Sequence, residues 1–285
     1  MRLNIRGVET LGNSSSETNM LLCEYVKYIR NEYQTEAAHK LDLACKGANY
    51  QPGSSLMVIG RAPNHGDIDE SQNLFRSLNK PETLVEKALT EQRGFASLHE
   101  YLTDCEYNPR RSQFWNLASR VVRASTDADL TFKQAIESLA WSNLYKIAPM
   151  GKNPSWAMQQ LHGNQDWVSR LLLADIEAFK PKALLFMTDT GAGWFDPKWL
   201  EGGFKKGELK GRDGGVPLPY LSGLFKGTTT PAIVTPHPQG KPFTTWVTRI
   251  TQDLETLLGG SSRQETFASP IGTCETSGIN SSQRR

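Results

Sequence analysis

The chain has 285 residues, of which 38% are hydrophobic and 22% charged, with a formal net charge of +2. That length suits one well-packed domain or two small ones, and the composition is that of a globular protein rather than a low-complexity or fibrous one. The near-neutral balance excludes neither nucleic acid nor small molecules as ligands, because basic residues can gather on one face of a neutral protein.

Four cysteines, Cys23, Cys45, Cys105 and Cys274, lack any C-x2-C spacing. A disulfide framework and a zinc knuckle are therefore not expected, and no metal or cofactor is; an iron–sulfur cluster built from distant cysteines is the alternative. Free thiols suit a reducing compartment. The stretch from Met1 to Glu17 has no apolar run of the secretory type, and no later segment approaches membrane-spanning length, so the expected location is the cytoplasm.

In chain order, Ser14–Ser16 is a helix start signal for a first helix over about Glu17–Cys45, carried by Leu21, Leu22, Tyr25, Val26 and Ile29, with a break near its middle. Gln51-Pro52-Gly53 is a turn, and Leu56-Met57-Val58-Ile59 is a buried strand running into Gly60. Short helices follow at about Glu82–Thr90 and Ser97–Leu102, then a stronger amphipathic one at Arg111–Ala124. A helix at Thr131–Leu139 leads into the short strand Trp141–Tyr145, and Pro149–Pro154 is a loop. Trp167–Phe179 is a helix closed by Lys180-Pro181, followed by a strand at Ala183–Met187. Gly191–Gly227 is rich in glycine and lysine and has little periodicity. Ala232–Thr235 is the fourth strand and Phe243–Leu258 the last helix. The expected division is one domain over residues 1–258 and a disordered polar tail over 259–285.

Strands separated by helices, with apolar runs too continuous for one face to meet water, imply a mostly parallel sheet covered on both sides. The expected fold is thus three-layer α/β/α with a four-stranded central sheet. Such sheets bind ligands beyond the carboxyl ends of their strands. Three strands end in residues that carry chemistry. The first gives Gly60-Arg61-Ala62-Pro63-Asn64-His65-Gly66, the second Asn143, the third Pro236-His237-Pro238.

The first loop matches neither the phosphate-loop nor the dinucleotide spacing. Gly60 permits a tight turn off the strand and Pro63 fixes the loop; a plain strand-to-helix connection is the alternative. Asn143 offers an amide able to read the edge of a base, or else acts as a turn residue. Lys146 and Lys152 would line a phosphate track, or sit on a solvated loop. His237, held between two prolines, suits donating a hydrogen bond to a leaving group; a structural histidine is the alternative. Lys241 follows as a phosphate contact.

These segments together resemble the uracil-DNA glycosylase superfamily. The likeness lies in the first motif after the opening strand, the strand ending in Asn143, the late His237-Pro238, and the helix–strand unit Leu172-Leu173-Ala174-Asp175-Ile176-Glu177-Ala178-Phe179-Lys180-Pro181-Lys182. It spans roughly Leu56–Leu258. What it implies is a monomeric DNA glycosylase that needs no cofactor and flips a nucleotide into a pocket at the strand ends. Asn143 would read the base, His237 would stabilise the departing base anion, and Arg61–Gly66 would shape the pocket. Phe75 would stack on the base, with Phe114 and Trp115 competing for that role. Ala62 stands where a water-activating carboxylate or amide occurs in some members, so the chain is more similar to the branch whose first motif reads G-x-A-P. A downstream carboxylate then takes the water, Asp67 first, with Asp69 and Glu70 behind it.

The segments Asp67–Asn108 and Gly191–Gly227 point to a substrate bulkier than uracil, such as a hypermodified base of viral DNA, and hence to an antiviral role. In the second, Lys205, Lys206, Lys210 and Arg212 with Trp194, Trp199 and Phe204 would embrace DNA, or pack on themselves as a surface excursion. Two other readings stand beside the glycosylase: a catalytically inactive nucleic-acid-binding module, and a nucleoside N-glycoside hydrolase.

Overall fold

The computed structural model describes residues 16–32, 38–61, 78, 80–93, 95, 97–104, 108–126, 128–149, 165–190, 194–209, 211, 217–241 and 243–260. Three short apolar runs become the strands β3 (Leu56–Gly60), β6 (Ala183–Met187) and β9 (Pro231–Thr235), buried along their length except at Leu56. With β4 (Ala140–Asn143) they form the parallel centre of a sheet, paired in the order β4-β3-β6-β9.

Side chains alternate across this sheet, as the two-residue period of a strand requires. Met57, Ile59, Leu184, Phe186, Ala232 and Val234 pack on one side, under the helix Gln165–Phe179. Val58, Leu185, Met187 and Ile233 pack on the other, under helices Leu98–Thr103, Gln113–Ala124, Phe132–Glu137 and Phe243–Gly260. With helices Ser16–Glu32 and Pro81–Arg93, and numbering in chain order, these are α1 (Ser16–Glu32), α2 (Pro81–Arg93), α3 (Leu98–Thr103), α4 (Gln113–Ala124), α5 (Phe132–Glu137), α6 (Gln165–Phe179) and α7 (Phe243–Gly260). The result is a mixed α/β fold with helices on both faces. A third apolar cluster joins α1 and α2 to Leu41, Leu43, Ile147 and Leu171.

Helix starts follow local chemistry. The Ser112 side chain accepts from the backbone N–H of Trp115 at the start of α4. Thr131 and Gln134 form a reciprocal capping box for α5. Helix α6 ends at Phe179, where Lys180 adopts a positive φ of 50° before Pro181.

The sheet is larger than the expected four strands. It has seven, in the order β2-β4-β3-β6-β9-β8-β7, with β2 (Cys45–Lys46) antiparallel on one edge. On the other edge lies the antiparallel hairpin β7 (Leu200–Leu209) and β8 (Leu218–Phe225), so the described part of the segment expected to be aperiodic is largely strand. The sequence LEGGFKKGEL hides this because glycines and lysines interrupt its apolar alternation, and backbone pairing to β8 sets the conformation. One of those glycines is a packing requirement. A Cβ on Gly207 would stand 2.1 Å from the Tyr220 ring.

The first helix is also shorter than expected. It stops at Glu32, and Ala38–Leu41 forms β1, paired antiparallel with β5 (Ile147–Pro149), which takes the first residue of the expected loop. A partner more than a hundred residues away overrides helical spacing here. The last helix runs to Gly260, into the start of the expected tail; residues beyond it lie outside the described ones.

Candidate functional site

Register brings the strand ends to one level. Gly60 pairs with Asn143, and Met187 with Thr235, one residue after the Ile59–Phe186 pair. Beyond that level four loops leave the sheet at Arg61, Leu144, Thr188 and Pro236. This is the carboxyl edge, where a doubly covered parallel sheet accepts ligands.

Asn143 is buried and held from two sides. Its Nδ2 donates to Asp42 Oδ2 at 3.0 Å, while Asp42 Oδ1 accepts from the Tyr101 hydroxyl at 2.9 Å. Its Oδ1 faces Gly60, where a Cβ would lie only 2.4 Å away; the Phe114 ring is 3.5 Å from the same point. Glycine is thus required at position 60 for the amide to occupy its place. Asp42 fixes which end of the amide is which, since a carboxylate accepts only from the NH2.

His237 sits at the opposite end of the parallel set. Burial, and then the charge of Arg61, hold its imidazole well below the usual histidine range, at about 4. Nδ1 accepts from the backbone N–H of Gln239 at 3.4 Å. A neutral ring with Nδ1 accepting carries its proton on Nε2, so the imidazole offers an N–H there at pH 7.

Between these ends, Arg61 is fixed from several directions. Its Nε donates to the Thr188 carbonyl at 3.0 Å, its guanidinium pairs with Asp189, and it lies over the Trp194 ring at 5.1 Å. Asp189 also accepts from the His237 backbone N–H at 3.1 Å. Next to it, Thr188 Oγ1 is buried without a hydrogen-bond partner among the described residues.

Of the residues expected at the site, Gly60, Arg61, Asn143 and His237 therefore meet at one edge, and Lys241 closes the turn after His237, donating its N–H to the Pro238 carbonyl. Lys146 does not belong to a phosphate track. Its side chain is 2% exposed and pairs with Asp175 and the Ser142 hydroxyl, because α6 brings Asp175 over the segment that follows β4. Trp194 and Trp199 are likewise in the core, at 4% and 7% exposure, and cannot stack on DNA; Lys205 and Lys206 are exposed on β7. Trp115 is buried against Trp141, whereas Phe114 lies beside Gly60. Ala62, Pro63, Asn64, His65, Asp67, Asp69, Glu70, Phe75, Lys152, Lys210 and Arg212 lie outside the described residues, as does the Phe204 side chain.

Sequence reasoning missed Asp42 and Asp189. The second had a signal: it stands two residues past a buried strand, at its carboxyl end. The first had none, because its segment carries helical spacing. Among the described residues, no group of three or more His, Cys, Asp or Glu side chains is placed to hold a metal, and no helix is long and apolar enough to cross a membrane. In comparisons, no family model, no curated protein and no solved structure matches the chain.

Proposed function

We propose that the protein is a monofunctional DNA glycosylase similar to the uracil-DNA glycosylase superfamily, hydrolysing the N-glycosidic bond of a flipped nucleotide. The observation that carries this reading is the pair Asn143 and His237 at one edge of a parallel sheet, an oriented amide at one end and a neutral imidazole with its proton on Nε2 at the other. Three strand steps separate them, about 14 Å between strand axes at ~4.8 Å each, which accommodates a nucleoside between the two.

Water adds its oxygen to C1′ of the sugar as the C1′–N bond breaks, and the base leaves as an anion that then takes a proton. Asn143 holds the base edge and the His237 N–H stabilises the developing negative charge. Of the carboxylates near the described site, Asp42 is engaged by Asn143 and Tyr101, and Asp189 by Arg61 and His237. That supports leaving the water to Asp67, with Asp69 and Glu70 behind it. The proposed substrate is a bulky or hypermodified base of viral DNA, which would make the protein a cytoplasmic antiviral factor.

One observation favours a second reading. Lys146, Trp194 and Trp199, all assigned to DNA contact from sequence, are buried, as they would be in a hydrolase of free nucleosides. Mass spectrometry of free base separates the two. The protein is incubated with unmodified, uracil-containing and hypermodified viral DNA, and with the matching mononucleosides. Release of one base from DNA, lost in Asn143→Ala and Asp67→Ala, is the expected result. Release from mononucleosides alone selects the second reading, and no release at all contradicts both.

A further inference from the structure

The loops after β3 and β9 come from strands that are not neighbours, since β6 lies between them. Something must hold the two in one geometry if a group on each is to act on one ligand. Asp189, the second residue after β6, makes all the required contacts. Its own N–H donates to the Thr235 carbonyl at 3.0 Å, its Oδ1 accepts from the His237 N–H at 3.1 Å, and its Oδ2 pairs with the Arg61 guanidinium.

Two further features mark the residue. Its backbone has a φ of 81°, one of only two positive values at non-glycine positions among the described residues. Aspartate tolerates that left-handed region better than most side chains but less well than glycine. A carboxylate there in place of glycine points to a role for the side chain. The other feature is the backbone of its partner. Pro236 and Pro238 have no N–H, so the N–H of His237 is the only backbone donor in the Pro236–Pro238 segment, and it goes to Asp189. The prolines narrow the path of the loop; this one bond fixes where the loop stands relative to the sheet.

We propose that Asp189 is a positioning residue, clamping the His237 loop and Arg61 to the end of β6 so that the imidazole is aimed at the ligand before it arrives. This rests on the glycosylase reading for its consequence in catalysis, but the clamp can be observed without it. Misplacing a catalytic group by a fraction of an ångström to 1 Å costs up to about 100-fold in rate.

Two variants separate positioning from folding. Asp189→Gly suits φ 81° and removes the carboxylate; Asp189→Asn tolerates the same backbone and keeps an acceptor for the His237 N–H. Base release, melting temperature and the His237 backbone amide proton shift in NMR spectra are measured on the full chain. The expected result for Asp189→Gly is an unchanged or higher Tm, an upfield move of the His237 amide proton, and kcat lower by about 10- to 100-fold with KM nearly constant. Asp189→Asn is expected to keep the amide shift and recover most of kcat. An unmoved His237 amide in Asp189→Gly overturns the clamp. A moved amide with wild-type kcat overturns its role in positioning. If the wild type releases no base from any DNA, the glycosylase reading fails, and the amide shift alone still decides whether the clamp exists.

Discussion

Ser142 and Asn143 are neighbours on β4, yet the polar clusters they enter differ in kind. Ser142 turns towards α6, where its hydroxyl donates to Asp175 at 2.8 Å and accepts from Lys146. Asn143 turns to the other face, where Asp42 takes one N–H and the carbonyl end of the amide faces Gly60 and Phe114. The first cluster is closed: a buried charge pair with a hydroxyl between, all under a helix. The second lies at the carboxyl edge of the sheet, level with the loops that carry Arg61 and His237. Burial of polar groups is common to both, so burial does not mark function. What separates them is place: one lies under a helix, the other at the strand ends, where a doubly covered parallel sheet accepts ligands.

Perturbing the closed cluster has the largest expected effect on stability. Lys146→Ala or Asp175→Ala leaves an uncompensated buried charge and is expected to lower unfolding free energy by about 3–5 kcal/mol, read from urea denaturation. At the carboxyl-edge cluster, Asn143→Ala or His237→Ala is expected to lower base release by about 100- to 1000-fold per folded molecule; Asn143→Ala also deprives the buried Asp42 of a donor and is expected to cost about 1–3 kcal/mol in urea denaturation. Gly60→Ala tests the seam between them. The added methyl would lie 2.4 Å from Asn143 Oδ1, so the amide must move; the expected cost is about 1–3 kcal/mol in stability together with a loss of base release out of proportion to it.

A further test is the pH response of His237. Its folded pKa, about 4, lies below its ordinary value of 6.5, so between those values the unfolded chain binds a proton that the folded chain does not. Stability therefore falls as pH drops through that window, and His237→Asn is expected to flatten the slope there. Base release should lose no contribution from His237 until pH nears 4, where the ring gains its second proton. A loss centred near pH 6.5 would show the imidazole to be exposed and unperturbed.

The same contrast explains what the sequence revealed. Strands β3, β6 and β9 were legible because a short unbroken apolar run has one use in a chain of this kind, burial on both faces. His237 stood out because it comes just after such a run, and Asn143 because it ends the short strand Ala140–Asn143. Asp189 was legible by the same rule. Asp42 was not: its place depends on β1 pairing with β5, and nothing in Ala38–Leu41 announces a partner so distant in the chain. Lys146 was misread for a like reason. A lysine after a strand looks like a surface group until Asp175, 29 residues on, is brought over it by α6. Trp194 and Trp199 looked like a nucleic-acid surface, but the strand pairing of β7 and β8 carries the segment onto the sheet and turns those rings into its core.

The most direct test of the account compares the two neighbours. Base release per folded molecule is measured on the same modified viral and uracil-containing DNAs for wild type, Ser142→Ala and Asn143→Ala, with the folded fraction taken from each protein's own unfolding curve. The account predicts that both variants lose stability, since each leaves a buried carboxylate short of a donor, but that per folded molecule Ser142→Ala stays within about twofold of wild type while Asn143→Ala loses at least about 100-fold. Equal losses in the two variants, or no base released by the wild type, would contradict it.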